Sequence, residues 1–246
     1  MMRAMSVRVE RKEAVTVVTI DRPEVHNCVD TDAASALEDA VRAFDVDDAQ
    51  RVLILTGAGG KSFCSGADLK DPPRFRAAGP MGISRLEVGK PTIAAINGYC
   101  FAGGLELACW CDFRIADETA EFGVLNRRWG VPLVDGGTQR LPKIVGLGNA
   151  LYLIETGVRI DAQTALRMAL VQEVVPAGTA VERATELATR MAEYPQASLR
   201  ADRESAIRLD GIEAEARRGE PTVRDPDMAA GLRRFVEGDR PDAPRA

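Results

Sequence analysis

The stretch that decides the fold is Pro91–Asp117, PTIAAINGYCFAGGLELACWCDFRIAD. It opens on Pro91–Ile96, a continuously apolar run of the kind buried on both faces in a parallel sheet. Asn97-Gly98 is a turn signal, and Gly103-Gly104 breaks the stretch again at the opening of a helix. These breaks leave no uninterrupted apolar helix of ~20 residues, so the segment reads as a globular core and not as a membrane span. Between Lys90 and Asp112 the only carboxylate or basic residue is Glu106. A lone carboxylate there is either satisfied by the dipole of a helix start or placed for chemistry.

Outward from this stretch, Arg51–Thr56 is a second short apolar strand, and Ser6–Arg11 and Val15–Ile20 are strands rich in β-branched residues. Asp30 or Thr31 can cap a helix running to about Phe44, with Leu37, Ala40, Val41 and Phe44 at helical spacing. Asp112–Ala116 and Ala120–Gly123 complete a strand–helix alternation that argues an α/β fold. The segment Asp71–Gly89, with three Pro and three Gly, reads as a mobile loop. Past residue 130 the chain turns mostly helical: Thr138–Ile144, Gly148–Glu155, Asp161–Leu170, Ala180–Tyr194, Gln196–Leu209 and Met228–Glu237. Pro195 separates a core, 1–194, from a helical C-terminal region, 195–246, whose Pro-rich end Asp239–Ala246 is expected to fray.

The 246 residues are 46% hydrophobic, enough for one large domain with a sizeable core. Lys and Arg number 32 against 37 Asp and Glu, a net charge of −5, with no basic tail or stripe to suggest a nucleic-acid partner. Five cysteines, an odd number, at 28, 64, 100, 109 and 111 suggest buried inert thiols and a reducing, cytoplasmic setting. His26 is the only histidine, which argues against a histidine-built zinc site or a Ser-His-Asp triad. Gly57–Ser62 ends in Gly-Lys-Ser, yet Leu55 stands where a phosphate loop needs its first glycine.

Two glycine turns follow buried strands: Ser65-Gly66-Ala67-Asp68-Leu69 and Ala102-Gly103-Gly104-Leu105-Glu106-Leu107. Backbone N–H groups left unpaired at such strand-to-helix turns favour developing negative charge. Two of them on one carbonyl oxygen would form an oxyanion hole. Taken singly, either turn is explained better by turn geometry and close packing alone.

Taken together, DRPEVHNCVD (21–30), SFCSGADLK (62–70), the 91–117 stretch, GGTQRLPKIVG (136–146) and LVQEVVP (170–176) resemble the crotonase (enoyl-CoA hydratase/isomerase) superfamily over nearly the whole chain. The resemblance implies an α/β fold with a crotonase-like ββα spiral and a helical, oligomerising C-terminal region. It implies homotrimers or hexamers built as dimers of trimers. An acyl-CoA thioester would be the substrate, with CoA as part of it and no separate cofactor or metal. The oxyanion donors would be the N–H groups of Ala67 and Gly103. CoA contacts would come from Glu24, Val25, His26, Ala67 and Lys70. Glu106 matches one of the two catalytic glutamates of the hydratases.

The chain departs from that pattern at Asn126, where the hydratases carry the second glutamate; an amide cannot exchange a proton as a carboxylate does. Asp135, in the place of a small residue, resembles the dienoyl-CoA isomerases at this point and is either a proton partner or an N-cap aspartate. Arg127 and Arg128 are solvated charges, ion-pair partners of Asp135, or recognition groups for a polar acyl chain. The expected activity is syn addition of water to a 2-enoyl-CoA, giving a 3-hydroxyacyl-CoA. The alternatives are an enoyl- or dienoyl-CoA isomerase using Asp135, and a non-catalytic acyl-CoA-binding member.

Overall fold

A computed structural model describes residues 6–238; the Pro-rich end expected to fray lies outside them. Among the described residues the strands in chain order are β1 (Val7–Lys12), β2 (Val15–Ile20), β3 (Val52–Gly57), β4 (Ser62–Cys64), β5 (Thr92–Ile96), β6 (Tyr99–Phe101), β7 (Phe113–Asp117), β8 (Glu121–Gly123), β9 (Ile160–Asp161) and β10 (Glu173–Val175). The helices are α1 (Thr31–Val46), α2 (Gly103–Trp110), α3 (Gly137–Val145), α4 (Leu147–Thr156), α5 (Ala162–Arg167), α6 (Ala180–Glu193), α7 (Gln196–Arg208), α8 (Ile212–Gly219) and α9 (Pro226–Val236).

The larger sheet runs β1-β2-β3-β5-β7-β10 and the smaller β4-β6-β8-β9. Only the β1–β2 hairpin is antiparallel in the larger sheet; its other pairs are parallel. Every residue of β2, β3 and β5 is buried, as expected of strands rich in apolar and β-branched residues and covered on both faces. The chain repeatedly places one strand in each sheet: β3 then β4, β5 then β6 and α2, β7 then β8. That is the α/β class read from the sequence, arranged in the ββα spiral that the family resemblance implies. Asp30 supplies the N-cap of α1, accepting the Ala33 N–H at 2.8 Å. The inward face of α1 sets Ala33, Ala34, Leu37, Val41 and Phe44 fully into the core.

Parallel pairing aligns Cys64 of β4 with Cys100 of β6, so the residues after each strand emerge side by side. These three-residue strands are too short to carry a period of their own, and the sequence shows only their turns. The expected mobile loop is in part a packed segment. Residues 78–84 are all buried, with Met81 and Ile83 at 1% and 0% exposure, although they carry no regular structure.

The chain divides into two compact units inside α6, between Thr189 and Arg190, ahead of the break expected at Pro195. The first unit holds both sheets and α1–α5. The second contains α7, α8 and α9, none of which has a buried residue. All five cysteines are free thiols, four buried and Cys28 half-buried. Burial pushes Cys28 and Cys109 up to about 11 and raises the other three as well, so all stay protonated at neutral pH.

Candidate active site

The two glycine turns meet at the ends of β4 and β6. Val29 bridges the first turn, donating to Gly66 O at 2.9 Å and accepting from Asp68 N at 2.8 Å. The residue between, Ala67, has its N–H left over. In the second turn Ala102 donates to Gly123 O and takes a left-handed φ of 51° before α2 begins at Gly103. As the first helical residue, Gly103 has no intrahelical acceptor for its N–H. A methyl at Gly66 would stand 3.1 Å from the Gly103 nitrogen, which measures how closely the turns approach. Among the described residues neither the Ala67 nor the Gly103 N–H donates to a protein acceptor. Two adjacent free amides can hold one oxygen as it gains negative charge.

Glu106 lies one turn into α2, 3% exposed. Its Oε1 accepts the N–H of Asp135 at 2.9 Å and of Gly137 at 2.8 Å. Burial pushes its carboxyl up to about 7. The nearby Asp135 adds to that rise, while the two N–H donors and the Arg140 guanidinium oppose it. Glycine is required at 137, because a Cβ there would sit 2.8 Å from Glu106 Cγ. Glu106 is therefore gripped by a distant turn, not merely satisfied by its own helix start. A carboxyl with this value both takes and returns a proton near neutrality.

Asp135 is buried, and its Oδ1 accepts the Met81 N–H at 3.0 Å and the Ser84 hydroxyl. It is not the N-cap aspartate that the sequence allowed. The cap of α3 is Gly136, with no side-chain hydrogen bond, and Asp135 instead ties down the 78–84 segment. Met81 also covers the second turn: a Cβ on Gly103 would meet its sulfur at 2.9 Å. Arg140 braces the same corner, donating to Asp135 O at 3.0 Å and Ser84 O at 2.6 Å. Sequence reasoning missed Met81, Ser84 and Arg140, since only the tertiary fold brings them together.

Asn126 sits in a short 3-10 turn, Leu125–Trp129, and is 8% exposed. Its Nδ2 donates to Val131 O at 2.7 Å, while its buried Oδ1 has no partner. An orphaned buried acceptor is costly unless something donates to it. Arg127 turns its Nε to Ile154 O at 3.2 Å. Among the described residues no ion pair joins Arg127 or Arg128 to Asp135.

Glu24 and Val25 lie in the 3-10 turn Pro23–Val25, and His26 closes it in the left-handed region. The His26 carbonyl accepts from Ser62 Oγ at 2.9 Å and Ser65 N at 3.1 Å, fixing this loop beside the Ala67 turn. The His26 ring meets Tyr99 edge-on with centroids 5.7 Å apart. Lys70 is exposed, with its N–H on Asp68 Oδ1. Two further residues hold the loop. Buried Asn27 spans Arg22 N, Ala58 O and Ser62 O, and Arg22 bridges Asp30 at 2.9 Å and Asp68 at 3.1 Å. The available signal was an arginine and two aspartates shared between the 21–30 and 62–70 stretches. Among the described residues no three His, Cys, Asp or Glu side chains form a metal-ligating group.

A family model described as enoyl-CoA hydratase/isomerase matches residues 10–242. The chain is 37% identical over 210 residues to a crotonyl-CoA hydratase from Syntrophomonas wolfei, covering 82% of this chain and 81% of that protein. It is 35% identical over 211 residues to an (E)-benzylidenesuccinyl-CoA hydratase from Thauera aromatica, covering 82% of each. An enoyl-CoA hydratase crystal structure from Mycobacterium marinum superposes with a TM-score of 0.91 at 30% identity, over 97% of this chain and 98% of that one.

Proposed function

The chain belongs to the enoyl-CoA hydratase/isomerase family, and from that premise we propose that it is an enzyme adding water across the double bond of a 2-enoyl-CoA to give a 3-hydroxyacyl-CoA. The observation that carries this reading is the pairing of two free, adjacent amides with a buried carboxyl whose pKa is about 7. The thioester oxygen accepts from Ala67 and Gly103. Glu106 takes a proton from water as the water oxygen bonds to C3, and the electrons of the double bond pass to the thioester oxygen as an enolate. When the enolate collapses, the proton held by Glu106 goes to C2, so water is consumed whole and Glu106 is regenerated. Asn126 neither gives nor takes a proton; its free Oδ1 accepts a hydrogen bond from the attacking water.

Asp135 acts in this reading as a positioning residue, because its carboxylate is spent on Met81 and Ser84 while its N–H holds Glu106. The test is the loss of enoyl absorbance from crotonyl-CoA. Turnover lowered about 10²–10⁴-fold in Glu106→Gln and much less in Asp135→Asn supports the assignment. Both variants matching wild type on a substrate that is turned over would overturn it, and turnover lost equally in both would restore Asp135 as a proton carrier in an isomerase.

The CoA moiety would lie along Glu24, Val25, His26, Ala67 and Lys70, where the first loop and the first turn adjoin. The region 195–246 would join subunits into a trimer or a hexamer. Its exposed Ile207, Leu209, Ile212, Leu232, Phe235 and Val236 support that reading. Sedimentation of wild type against Phe235→Asp checks it, a lighter variant being expected. Free thiols fit a reducing, cytoplasmic setting; among the described residues no helix is long and apolar enough to cross a membrane.

A further inference from the structure

A cleft of about 480 Å³ opens between the 78–84 segment and α3, within the ~300–1,000 Å³ range of small-molecule sites. Arg85, Arg140 and Lys143 line it, together with Ser84, Gly136 and Thr138, and no carboxylate does. The two arginines donate to main-chain carbonyls: Arg85 to Val134 O at 3.0 Å, and Arg140 to Asp135 O and Ser84 O. Among the described residues none of the three cations forms a salt bridge. In a chain of net charge −5, a concave surface lined by three cations and by no carboxylate favours an anionic group. Burial lowers the pKa of Arg140 although the Glu106 and Asp135 carboxylates act in the opposite direction, so its charge is partly desolvated.

The cleft adjoins the reacting carboxyl. Gly136 lines it, and the residues on either side, Asp135 and Gly137, are those whose N–H groups hold Glu106. We propose that the cleft receives the far end of the acyl chain and that this end carries a carboxylate, making the substrate class an enoyl-CoA of a dicarboxylic acid. This rests on the hydratase reading above. It moves polar acyl recognition from Arg127 and Arg128, the arginines singled out in the sequence, to Arg85, Arg140 and Lys143. Arginine's planar fork and the lysine ammonium are both suited to a carboxylate.

The phosphates of CoA are a competing anion, and the experiment separates the two sources. Hydration of crotonyl-CoA is compared with that of glutaconyl-CoA, the same chain ending in a carboxylate, in wild type, Arg85→Ala and Lys143→Ala. Arg85 and Lys143 are exposed, so truncation leaves the core intact. Wild type is expected to favour glutaconyl-CoA by about tenfold in kcat/KM, and each variant to lose about tenfold of that preference, chiefly through KM. An unchanged preference in the variants, with both thioesters weakened alike, assigns the cations to CoA and overturns the proposal. A wild-type preference for crotonyl-CoA overturns it too. If neither thioester is hydrated, the hydratase reading fails on its own, and calorimetric affinities for the two thioesters still decide the cleft.

Discussion

Both glycine turns leave one amide free, and they differ most in consequence at the third residue past it. After Ala67 that residue is Lys70, exposed, on a chain that runs on into solvent with Leu69 half bare. After Gly103 it is Glu106, buried, because the chain there enters α2 and presses it against Gly137. The same backbone device thus serves twice as a donor, yet only the turn that opens a helix delivers a proton carrier. They also divide conformational strain differently. Gly66 takes its φ of 103° at no steric cost, whereas Ala102 holds 51° with a side chain in place.

The largest effect should come from erasing what distinguishes the second turn. Glu106→Gln keeps shape and hydrogen bonds to the turn but cannot carry a proton, so kcat on crotonyl-CoA should fall about 10²–10⁴-fold by enoyl absorbance, with the protein still folded. Next in size is the pH dependence. Glu106 must be ionised to attack, so kcat/KM should rise about tenfold per pH unit and level off above about 7. With Asn126 in place of a second carboxyl no acid lost at high pH should bring the rate down again, and Asn126→Glu should introduce such a descending limb. The same carboxyl weighs on stability with opposite sign. Its folded value lies above the ordinary 4.5, so its contribution is present below about 4.5 and lost as pH rises through about 7. Urea melts of wild type against Glu106→Gln between those limits should show that slope in wild type only.

Smaller effects test the strain. Gly66→Ala puts a methyl 3.1 Å from both Ala102 Cβ and Gly103 N at a φ that disfavours it, and should cost about 1–3 kcal/mol in denaturant melts while lowering kcat. Ala102→Gly relieves the complementary position and should change stability by no more than about 1 kcal/mol, in the stabilising direction. A destabilised Ala102→Gly would show that the alanine methyl packs better than its backbone suffers.

How much of this was legible in the sequence depended on the range of the interaction. Val15–Ile20 announced itself by its β-branched residues and Gln196–Leu209 by the proline that bounds it. Glu106 stood out because its neighbours are apolar, and the buried environment that raises its pKa follows from them. Asp135 was ambiguous because its partners, Met81 and Ser84, lie more than fifty positions away in the chain and belong to a segment whose prolines and glycines suggested mobility. Helix α8 was missed for another reason: Ile212–Gly219 spans only eight residues, too short a window for a helical repeat to stand out.

The short run Asp135–Gly137 grasps Glu106 with two amides and, through the Asp135 side chain, reaches the Met81 that lies on Gly103. Base and oxygen-holding amide are thereby laced to a common strap. Thermal excursions of this corner should be correlated, the carboxyl and the amide shifting as one body while their mutual spacing is preserved.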